Sequence, residues 1–253
     1  MSETTRNPVM IVTGGSKGIG AAISRAAGAA GYRVALTYKH DAEGAEAVGR
    51  DIERAGGKAL VVKADVAVEA DIVALFQAVD SAFGAPDVLV NNAGGVGRLG
   101  RVEAIEAAML AELLAINVTG TFLCCREAVR RMSTRSGGRG GVIVNLSSLA
   151  ATLGGAGEWV HYAATKGAID SLTIGLAREV GAEGIRVVAV APGLIETGLH
   201  AAAGAPDRLS RLGPGVPLGR AGKASEVAAA VMWLASPAAA YITAAIVPVG
   251  GGR

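Results

Sequence analysis

The sequence predicts a single α/β domain built on one doubly wound parallel sheet with helices on both faces. Strand-like and helix-like segments alternate along the whole chain, as expected for βαβ units. The strand-like segments are continuous apolar runs, which indicates that both faces of the sheet are covered. A length of 253 residues suits one large domain, and no change in composition marks a boundary. We therefore predict one domain over residues 1–253, with ligands at the carboxyl ends of its strands.

Each predicted strand is a short apolar run that ends at a turn or at the start of a helix. About seven such runs are present, and the sheet should therefore have about seven strands. In order, the predicted strands lie at 9–14, 33–38, 59–66, 86–94, 141–148, 185–193 and 244–251.

The segments between the strands have the length and composition of helices. In order, the predicted helices lie at 18–30, 42–56, 69–84, 104–134, 161–181 and 225–236. We expect the longest of them to bend where Asn117 and Gly120 weaken it.

Two segments are predicted to be less regular than the rest. We expect the N-terminus, residues 1–7, to be flexible. The stretch from about 192 to 222 is rich in Gly, Pro and Ala. A long segment without clear structure in a compact domain is often a mobile lid, so we expect this one to cover a substrate site.

Composition argues against several classes of protein. The net charge is only +2 and the basic residues are scattered, which does not favour nucleic-acid binding. The N-terminus lacks a secretion signal, and no uninterrupted apolar run reaches about 18 residues, so we expect no membrane span. The two cysteines, Cys124 and Cys125, are adjacent, which suits neither a disulfide framework nor a metal site. We expect buried thiols in a reducing, cytoplasmic protein that binds no metal.

A glycine-rich loop follows the first strand directly. It reads TGGSKGIG at 13–20, and Gly14, Gly18 and Gly20 precede a helix at once. Glycine allows a tight turn and lets the pyrophosphate of a dinucleotide approach the helix N–H groups. A purely structural tight turn remains the alternative.

The end of the second strand bears on which dinucleotide binds. An acidic residue there often holds a ribose 2′-hydroxyl, but this strand ends in Tyr38 and Lys39, and Asp41 comes later. Lys17 lies inside the glycine loop. Two cations without an immediate acid favour a 2′-phosphate, so we expect NADP(H) rather than NAD(H).

Tyr162 and Lys166 are four residues apart in a predicted helix, so they lie on one face of it. A free tyrosine has a pKa of about 10. A cation one turn away in a water-poor cleft can lower that pKa and make the tyrosine an acid or base near neutrality. The pair becomes informative because it follows the fifth strand of a sheet with a dinucleotide loop.

The chain resembles a known family over nearly all its length. The matching motifs, in order, are TGGSKGIG at 13–20, ADV at 64–66, NNAG at 91–94, INVTG around Asn117, NLSS at 145–148, YAATK at 162–166 and APG at 191–193. These motifs resemble those of the short-chain dehydrogenase/reductases. The resemblance implies a Rossmann-like fold and hydride transfer between a nicotinamide cofactor and a carbonyl or secondary alcohol. It also implies a homotetramer, or a dimer.

The resemblance assigns roles to particular residues. Tyr162 would be the general acid or base, and Lys166 would lower its pKa and bind the nicotinamide ribose. Ser148 would hydrogen-bond the substrate oxygen, and Asn117 would kink its helix and hold a proton-relaying water. From the loop, the strand end and the resemblance together, the predicted cofactor-binding residues are Gly14, Ser16, Lys17, Gly18, Ile19, Gly20, Tyr38, Lys39, Asp65, Val66, Asn91, Ala93, Gly94, Tyr162, Lys166, Pro192, Gly193, Ile195 and Thr197.

Some alternatives stay open. Ser148 lies 14 residues before the tyrosine, where the family usually has 13, so Ser147 is the other candidate. Trp159 could line an apolar substrate pocket or a subunit edge, and Glu158 could read a polar substrate or lie at the surface. The rival function is a cofactor-binding sensor or scaffold without turnover. The helices at 104–134 and 159–182 look too apolar for lone surface elements, which favours an oligomer.

Overall fold

The computed structural model of the chain describes residues 7–253, apart from the side chain of His200. The predicted flexible terminus at 1–7 therefore lies almost wholly outside the described residues. Nine strands are present in this range. In chain order they are β1 (Val9–Val12), β2 (Arg33–Tyr38), β3 (Lys58–Lys63), β4 (Val88–Asn91), β5 (Gly141–Leu146), β6 (Ile185–Pro192), β7 (Ile195–Glu196), β8 (Gly222–Lys223) and β9 (Ile246–Val249).

Seven of these strands form one parallel sheet, which confirms the predicted fold class. The order is β3-β2-β1-β4-β5-β6-β9, and β7 pairs with β8 in a separate two-stranded sheet. The observed strands of the large sheet end up to three residues before the predicted ends. The reason is that the residues after each strand turn away into the loops of the carboxyl edge.

Helices cover both faces of the sheet. In chain order they are α1 (Gly18–Ala29), α2 (Ala42–Arg54), α3 (Glu69–Phe83), α4 (Ala107–Leu114), α5 (Gly120–Met132), α6 (Ala150–Leu153), α7 (Val160–Val180), α8 (Leu199–Ala202), α9 (Arg208–Leu212) and α10 (Ala224–Ala235). Alternate residues of each strand feed opposite cores. In β1, Met10 and Val12 join one buried cluster, and Val9 and Ile11 join the other.

The long helix predicted at 104–134 bends as expected. A π turn, Ala115–Thr119, separates α4 from α5 and contains the buried Asn117. Such turns insert a residue into the helical ladder and are frequent at functional sites. The π turn ends directly before Gly120, which packs closely: a Cβ there would lie 2.5 Å from the carbonyl oxygen of Val66.

The same stretch, Ala107–Met132, is long and apolar enough to cross a membrane by length and composition alone. The stretch is interrupted by polar residues, so the absence of a long uninterrupted apolar run in the sequence did not predict this candidate span. Core helices of water-soluble proteins meet the same criteria. The buried carboxylate of Glu127 in this stretch also pairs with Arg126, Arg130 and Arg131, which suits a helix packed on a sheet.

The two cysteines lie on α5 and are free and buried, as predicted. Burial raises the pKa of both thiols, that of Cys125 to about 12. Both thiols therefore stay protonated and unreactive near neutrality.

The segment from about 192 to 222 contains more regular structure than its composition suggested. It includes β7, the short helices α8 and α9, and a 3₁₀ turn at Gly213–Gly215. Elements this short have little intrinsic stability, so contacts with the rest of the domain must hold them.

Candidate active site

A cavity of about 810 Å³ opens at the carboxyl ends of the strands. The strand order changes direction at β1, which has β2 on one side and β4 on the other. A switch point of this kind leaves a crevice in which ligands of open α/β sheets bind. The predicted site residues line this cavity with three exceptions, Gly20, Asn91 and Asn117.

The glycine loop forms one end of the cavity. Gly14 and Gly18 have φ values of +64° and +56°, which side-chain-bearing residues rarely adopt. Gly20 lies behind the lining, where a Cβ would be 2.2 Å from the carbonyl oxygen of Gly14. No side chain caps the N-terminus of α1, and Gly18 and Ile19 line the cavity. The N–H groups of this helix end are thus available to an anion.

The loop after β4 holds the glycine loop in place. The amide of Asn92 donates to the carbonyl oxygens of Thr13 and Gly14, both at 2.9 Å. The hydroxyl of Thr13 in turn accepts from the backbone N–H groups of Asn92 and Ala93. These four hydrogen bonds tie the ends of β1 and β4 together at the point where a pyrophosphate would lie.

Asn91 does not line the cavity, contrary to its prediction as a cofactor contact. It is the last residue of β4, and its side chain points into the core because alternate residues of a strand face opposite sides. Its amide donates to the Asn145 side chain at 2.9 Å and to the Cys125 sulfur at 3.3 Å. Asn92, within the predicted motif at 91–94, lines the cavity instead.

An ion pair in the cavity wall joins the residues that follow β2 and β3. Lys39 Nζ lies 2.8 Å from an Asp65 carboxylate oxygen. The hydrogen bond that Lys39 donates to Asp65 raises the pKa of Lys39. Burial would raise the pKa of Asp65, but Lys39 and the Ala67 N–H outweigh it, so the pKa of Asp65 falls. The first acidic residue after β2 is Asp41, which caps α2 by accepting from the Gly44 N–H at 3.1 Å. No carboxylate follows Tyr38 directly.

Asn117 acts on the cavity through the backbone of the loop after β4. Its Oδ1 accepts from the Gly95 N–H, and its Nδ2 donates to the Gly95 carbonyl and the Thr165 hydroxyl, each at 2.9 Å. The side chain thus has three protein partners and is buried.

The two candidate serines point in different directions. The Ser148 hydroxyl lies close enough to Tyr162 to lower its pKa, donates to the Pro192 carbonyl at 3.5 Å and accepts from the Ala150 N–H at 3.1 Å. The Ser147 hydroxyl is buried, donates to the carbonyl of Lys166 at 3.4 Å, and faces Asp170. Of the two, only Ser148 is placed beside the tyrosine oxygen.

Tyr162 and Lys166 lie side by side in the cavity wall. Lys166 Nζ is 5.6 Å from the centre of the Tyr162 ring and donates to the Leu146 carbonyl at 2.7 Å. Burial lowers the pKa of Lys166 to about 8, against the opposing charge of Asp170. Burial also raises the pKa of Tyr162, and the influence of the nearby Ser148 hydroxyl only partly offsets this. The expected lowering of the tyrosine pKa by Lys166 is therefore not observed, because burial of the hydroxyl dominates and raises that pKa instead.

Comparison with known proteins identifies the family of this site. A family model described as enoyl-(acyl carrier protein) reductase matches residues 14–253. The uncharacterized oxidoreductase YgfF of Escherichia coli K12 is 47% identical over 97% of this chain and 99% of its own length. A short-chain dehydrogenase/reductase from Serratia marcescens superposes with a TM-score of 0.87, at 38% identity and 99% coverage of both chains. The chain belongs to the short-chain dehydrogenase/reductase family.

Other members of the short-chain dehydrogenase/reductase family differ in their named substrates and cofactors. The 3beta-hydroxysteroid dehydrogenase 1 of Eggerthella lenta is 39% identical over 100% of this chain and 95% of its own. A metagenomic blue fluorescent protein in complex with NADPH has a TM-score of 0.88, at 33% identity and 99% coverage of both chains. A Brucella melitensis 3-ketoacyl-(acyl-carrier-protein) reductase complexed with NADH has a TM-score of 0.89, at 33% identity and 98% coverage of both.

Family membership makes this chain a nicotinamide-dependent oxidoreductase that acts on small molecules. Its own residues fit such a cofactor. The glycine loop leaves backbone exposed where a pyrophosphate needs to approach, and the uncapped helix end faces the same space. Within residues 7–253, no group of three or more His, Cys, Asp or Glu side chains could hold a metal ion.

The far end of the cavity is lined by side chains from separate loops. Trp159 is buried there, which answers whether it lines a pocket, and it packs with Val96 and Tyr162. Glu158 also lines the cavity rather than lying on the open surface. His161 is buried, and its Nε2 lies 3.1 Å from the Val96 carbonyl, so it supports the pocket wall.

Two contributors escaped the sequence-based prediction. Arg208 on α9 is buried against Trp159 and lines the cavity. Its surroundings in the sequence, GAPDRLSRLG, gave no signal because its partners lie about 50 residues away. Thr13 binds the loop after β4 through both its hydroxyl and its carbonyl oxygen, and its place at the end of β1 could have suggested it.

Proposed function

We propose that the chain is an NADP(H)-dependent enzyme that reduces carbonyl compounds or oxidises secondary alcohols, with Tyr162 as general acid or base. The observation that carries this proposal is that Tyr162, Ser148 and Lys166 line the wall of one cavity, with the Ser148 hydroxyl close enough to Tyr162 to lower its pKa. Lys166 lies one helical turn away, and the glycine loop lines the other end of the same cavity.

The roles of the residues follow from their placement. The bound nicotinamide supplies the hydride in reduction and accepts it in oxidation. Tyr162 donates its proton to the carbonyl oxygen in the reductive direction. Ser148 donates a hydrogen bond to the same oxygen as charge develops there. Lys166 is anchored on the Leu146 carbonyl and adds positive charge beside the tyrosine ring. Asn117 positions the loop that forms the cavity roof.

Replacing Tyr162 with Phe tests the proposed chemistry. We expect kcat to fall by about 10³-fold or more, because the proton donor is lost, while the Kd for NADPH changes less than about twofold. Tyr241→Phe serves as the control, since Tyr241 is fully exposed. A Tyr162→Phe enzyme with more than a tenth of the normal kcat would rule out this role.

The preference for NADP(H) rests on Lys17 and Lys39. Both line the cavity, and the nearest acid after β2, Asp41, is engaged as a helix cap. Lys39 is shared with Asp65, so a 2′-phosphate would compete with that carboxylate for it. The relatives bound to NADPH and to NADH support either cofactor, which makes the lysines the deciding feature.

Cofactor titrations of Lys17→Ala and Lys39→Ala test the preference. We expect each change to raise the Kd for NADPH by about tenfold, the loss of one charge-assisted contact, and to leave NADH within about twofold. Lys58→Ala, at the opposite end of β3, is the control. Tighter binding of NADH than NADPH by the unaltered protein would overturn the preference.

The carbonyl compound itself is best sought by measuring NADPH oxidation across ketones, sugars and acyl thioesters. This panel spans the named activities of the relatives, from a hydroxysteroid to acyl-carrier-protein substrates. A protein that binds NADPH but turns over none of them would behave as the rival cofactor-binding scaffold.

We also propose that the chain forms a homotetramer, or a dimer, in the cytoplasm. Apolar side chains on α4, α5 and α7 are exposed in the single chain, among them Leu114, Phe122 and Val160. Patches of this kind are commonly covered by another subunit. Light scattering coupled to gel filtration measures the assembly, and a monomer would contradict it.

A further inference from the structure

The loop before α7 carries an acidic residue, Glu158, that binds the lid. Its Oε2 accepts from Arg208 Nη1 at 2.5 Å, and its Oε1 lies 3.6 Å from Arg211 Nη2. Both arginines belong to α9. Glu158 lies four residues before Tyr162, so this ion pair is close in sequence to the proposed proton donor.

Arg208 is the enclosed member of this group. Its side chain is only 10% exposed, and its guanidinium lies 4.7 Å from the centre of the Trp159 ring. Trp159 packs with Tyr162, and Arg208, Trp159 and Glu158 all line the cavity. A positive charge is thus built into the wall of the substrate end.

A guanidinium in such a place needs an anionic partner. Left unpaired in a partly buried site, it would be costly to desolvate and would attract a carboxylate in bidentate fashion. Glu158 provides the carboxylate from the protein itself. A substrate that carries its own carboxylate would have to displace Glu158, whereas an uncharged substrate would not.

We propose that Glu158 is a specificity-determining residue that occupies Arg208 and makes the cavity select uncharged carbonyl compounds over carboxylate-bearing ones. The inference rests on the proposed function, because it names the substrate class of that same site. Arg253 also lines the cavity and is exposed, but it is common to every variant compared below, so its contribution cancels.

Two probes that differ only in charge test the proposal: a cyclohexanone with a 4-carboxylate and its methyl ester. The measured quantity is the ratio of kcat/KM for the two probes with NADPH. Binding is measured in parallel by the fluorescence of Trp159 in a Trp233→Phe background, since the chain has two tryptophans. Binding therefore reports on selectivity even without turnover.

We expect the unaltered protein to favour the methyl ester by at least about tenfold, and Glu158→Gln to shift the ratio towards the carboxylate by at least about tenfold. The shift should be absent in Arg208→Gln and in the double variant Glu158→Gln/Arg208→Gln. Asp51→Asn is the matched control, because Asp51 also pairs with two arginines, Arg25 and Arg54, but does not line the cavity. Glu158→Ala replaces Glu158→Gln if the latter does not fold.

Several results would overturn the inference. These are a preference of the unaltered protein for the carboxylate, a change of less than twofold in Glu158→Gln, a shift that persists in the double variant, or failure of both probes to bind. Binding with the expected pattern but no turnover in any variant would instead support the inference and count against the proposed function.

Discussion

The two ends of the cavity are built from different parts of the chain. The cofactor end consists mainly of backbone, shaped by Gly14, Gly18 and Gly20 and closed by hydrogen bonds from Asn92. The substrate end consists of side chains from loops that are far apart in sequence, such as Glu158 and Arg208. The shape of the cofactor end depends on glycines, which have no side chain. The shape of the substrate end depends on contacts between side chains.

The largest effect on cofactor binding should come from adding one methyl group at the cofactor end. In Gly20→Ala, the new Cβ would lie 2.2 Å from the Gly14 carbonyl oxygen and 2.4 Å from Asn92 Nδ2. Backbone must move to relieve this overlap, which costs about 3 kcal/mol or more. We expect the Kd for NADPH to rise by at least about 100-fold in a fluorescence titration. A rise of less than fivefold would show that the cofactor end tolerates a side chain.

Asn117 lies where the two ends meet, because it holds Gly95 in the loop that both share. Asn117→Ala removes three hydrogen bonds of a buried side chain, which accepts from the Gly95 N–H and donates to the Gly95 carbonyl and the Thr165 hydroxyl. We expect the free energy of unfolding in urea to fall by about 2 to 4 kcal/mol. A loss below about 1 kcal/mol would mean that the loop has other supports.

The pH dependence of stability tests the burial of Lys166 between the two ends. Burial lowers its pKa from 10.5 to about 8. Between these values the unfolded chain holds the proton and the folded chain does not, so stability rises with pH. From pH 8 to 10 we expect a gain of about 2 kcal/mol that is absent in Lys166→Met. The comparison stops at pH 10, since the raised pKa of Tyr162 makes stability fall above it. Identical pH profiles for both proteins would contradict the burial.

The smallest effect is expected where a glycine serves neither end. A Cβ at Gly175, on the exposed face of α7, would meet no atom within 4 Å. Gly175→Ala should raise the free energy of unfolding by about 0.5 to 1 kcal/mol, because alanine favours the helix. Cofactor binding should not change. Destabilisation would point to a partner surface at this position, which thermal unfolding at two protein concentrations would reveal.

The sequence predicted the sheet, most helices and the cofactor end because each depends on local pattern. The apolar run Val9–Val12, the glycines after it and the helix that follows are contiguous, and the π turn falls at the predicted weak point around Asn117. Asn91 was misassigned by one position, since motif matching does not tell which of two adjacent asparagines faces the core.

The substrate end was less predictable for a physical reason. The short helices α8 and α9 are too brief to form by propensity, and α9 is held by Glu158 from about 50 residues away. The ion pair of Lys39 with Asp65 is likewise long-range. Composition identified 192–222 as unusual, but only the folded chain shows which side chains hold it.

The hydrogen bonds between Thr13 and Asn92 also affect when the cofactor end can form during synthesis. These bonds span 79 residues, from the end of β1 to the loop after β4. A ribosome adds about 5 to 20 residues per second, so about 4 to 16 seconds separate the synthesis of the two residues. During that interval the glycine loop has been made, but Asn92, whose side-chain amide binds it, has not. A dinucleotide can therefore stabilise the nascent chain only after the fourth strand has been made.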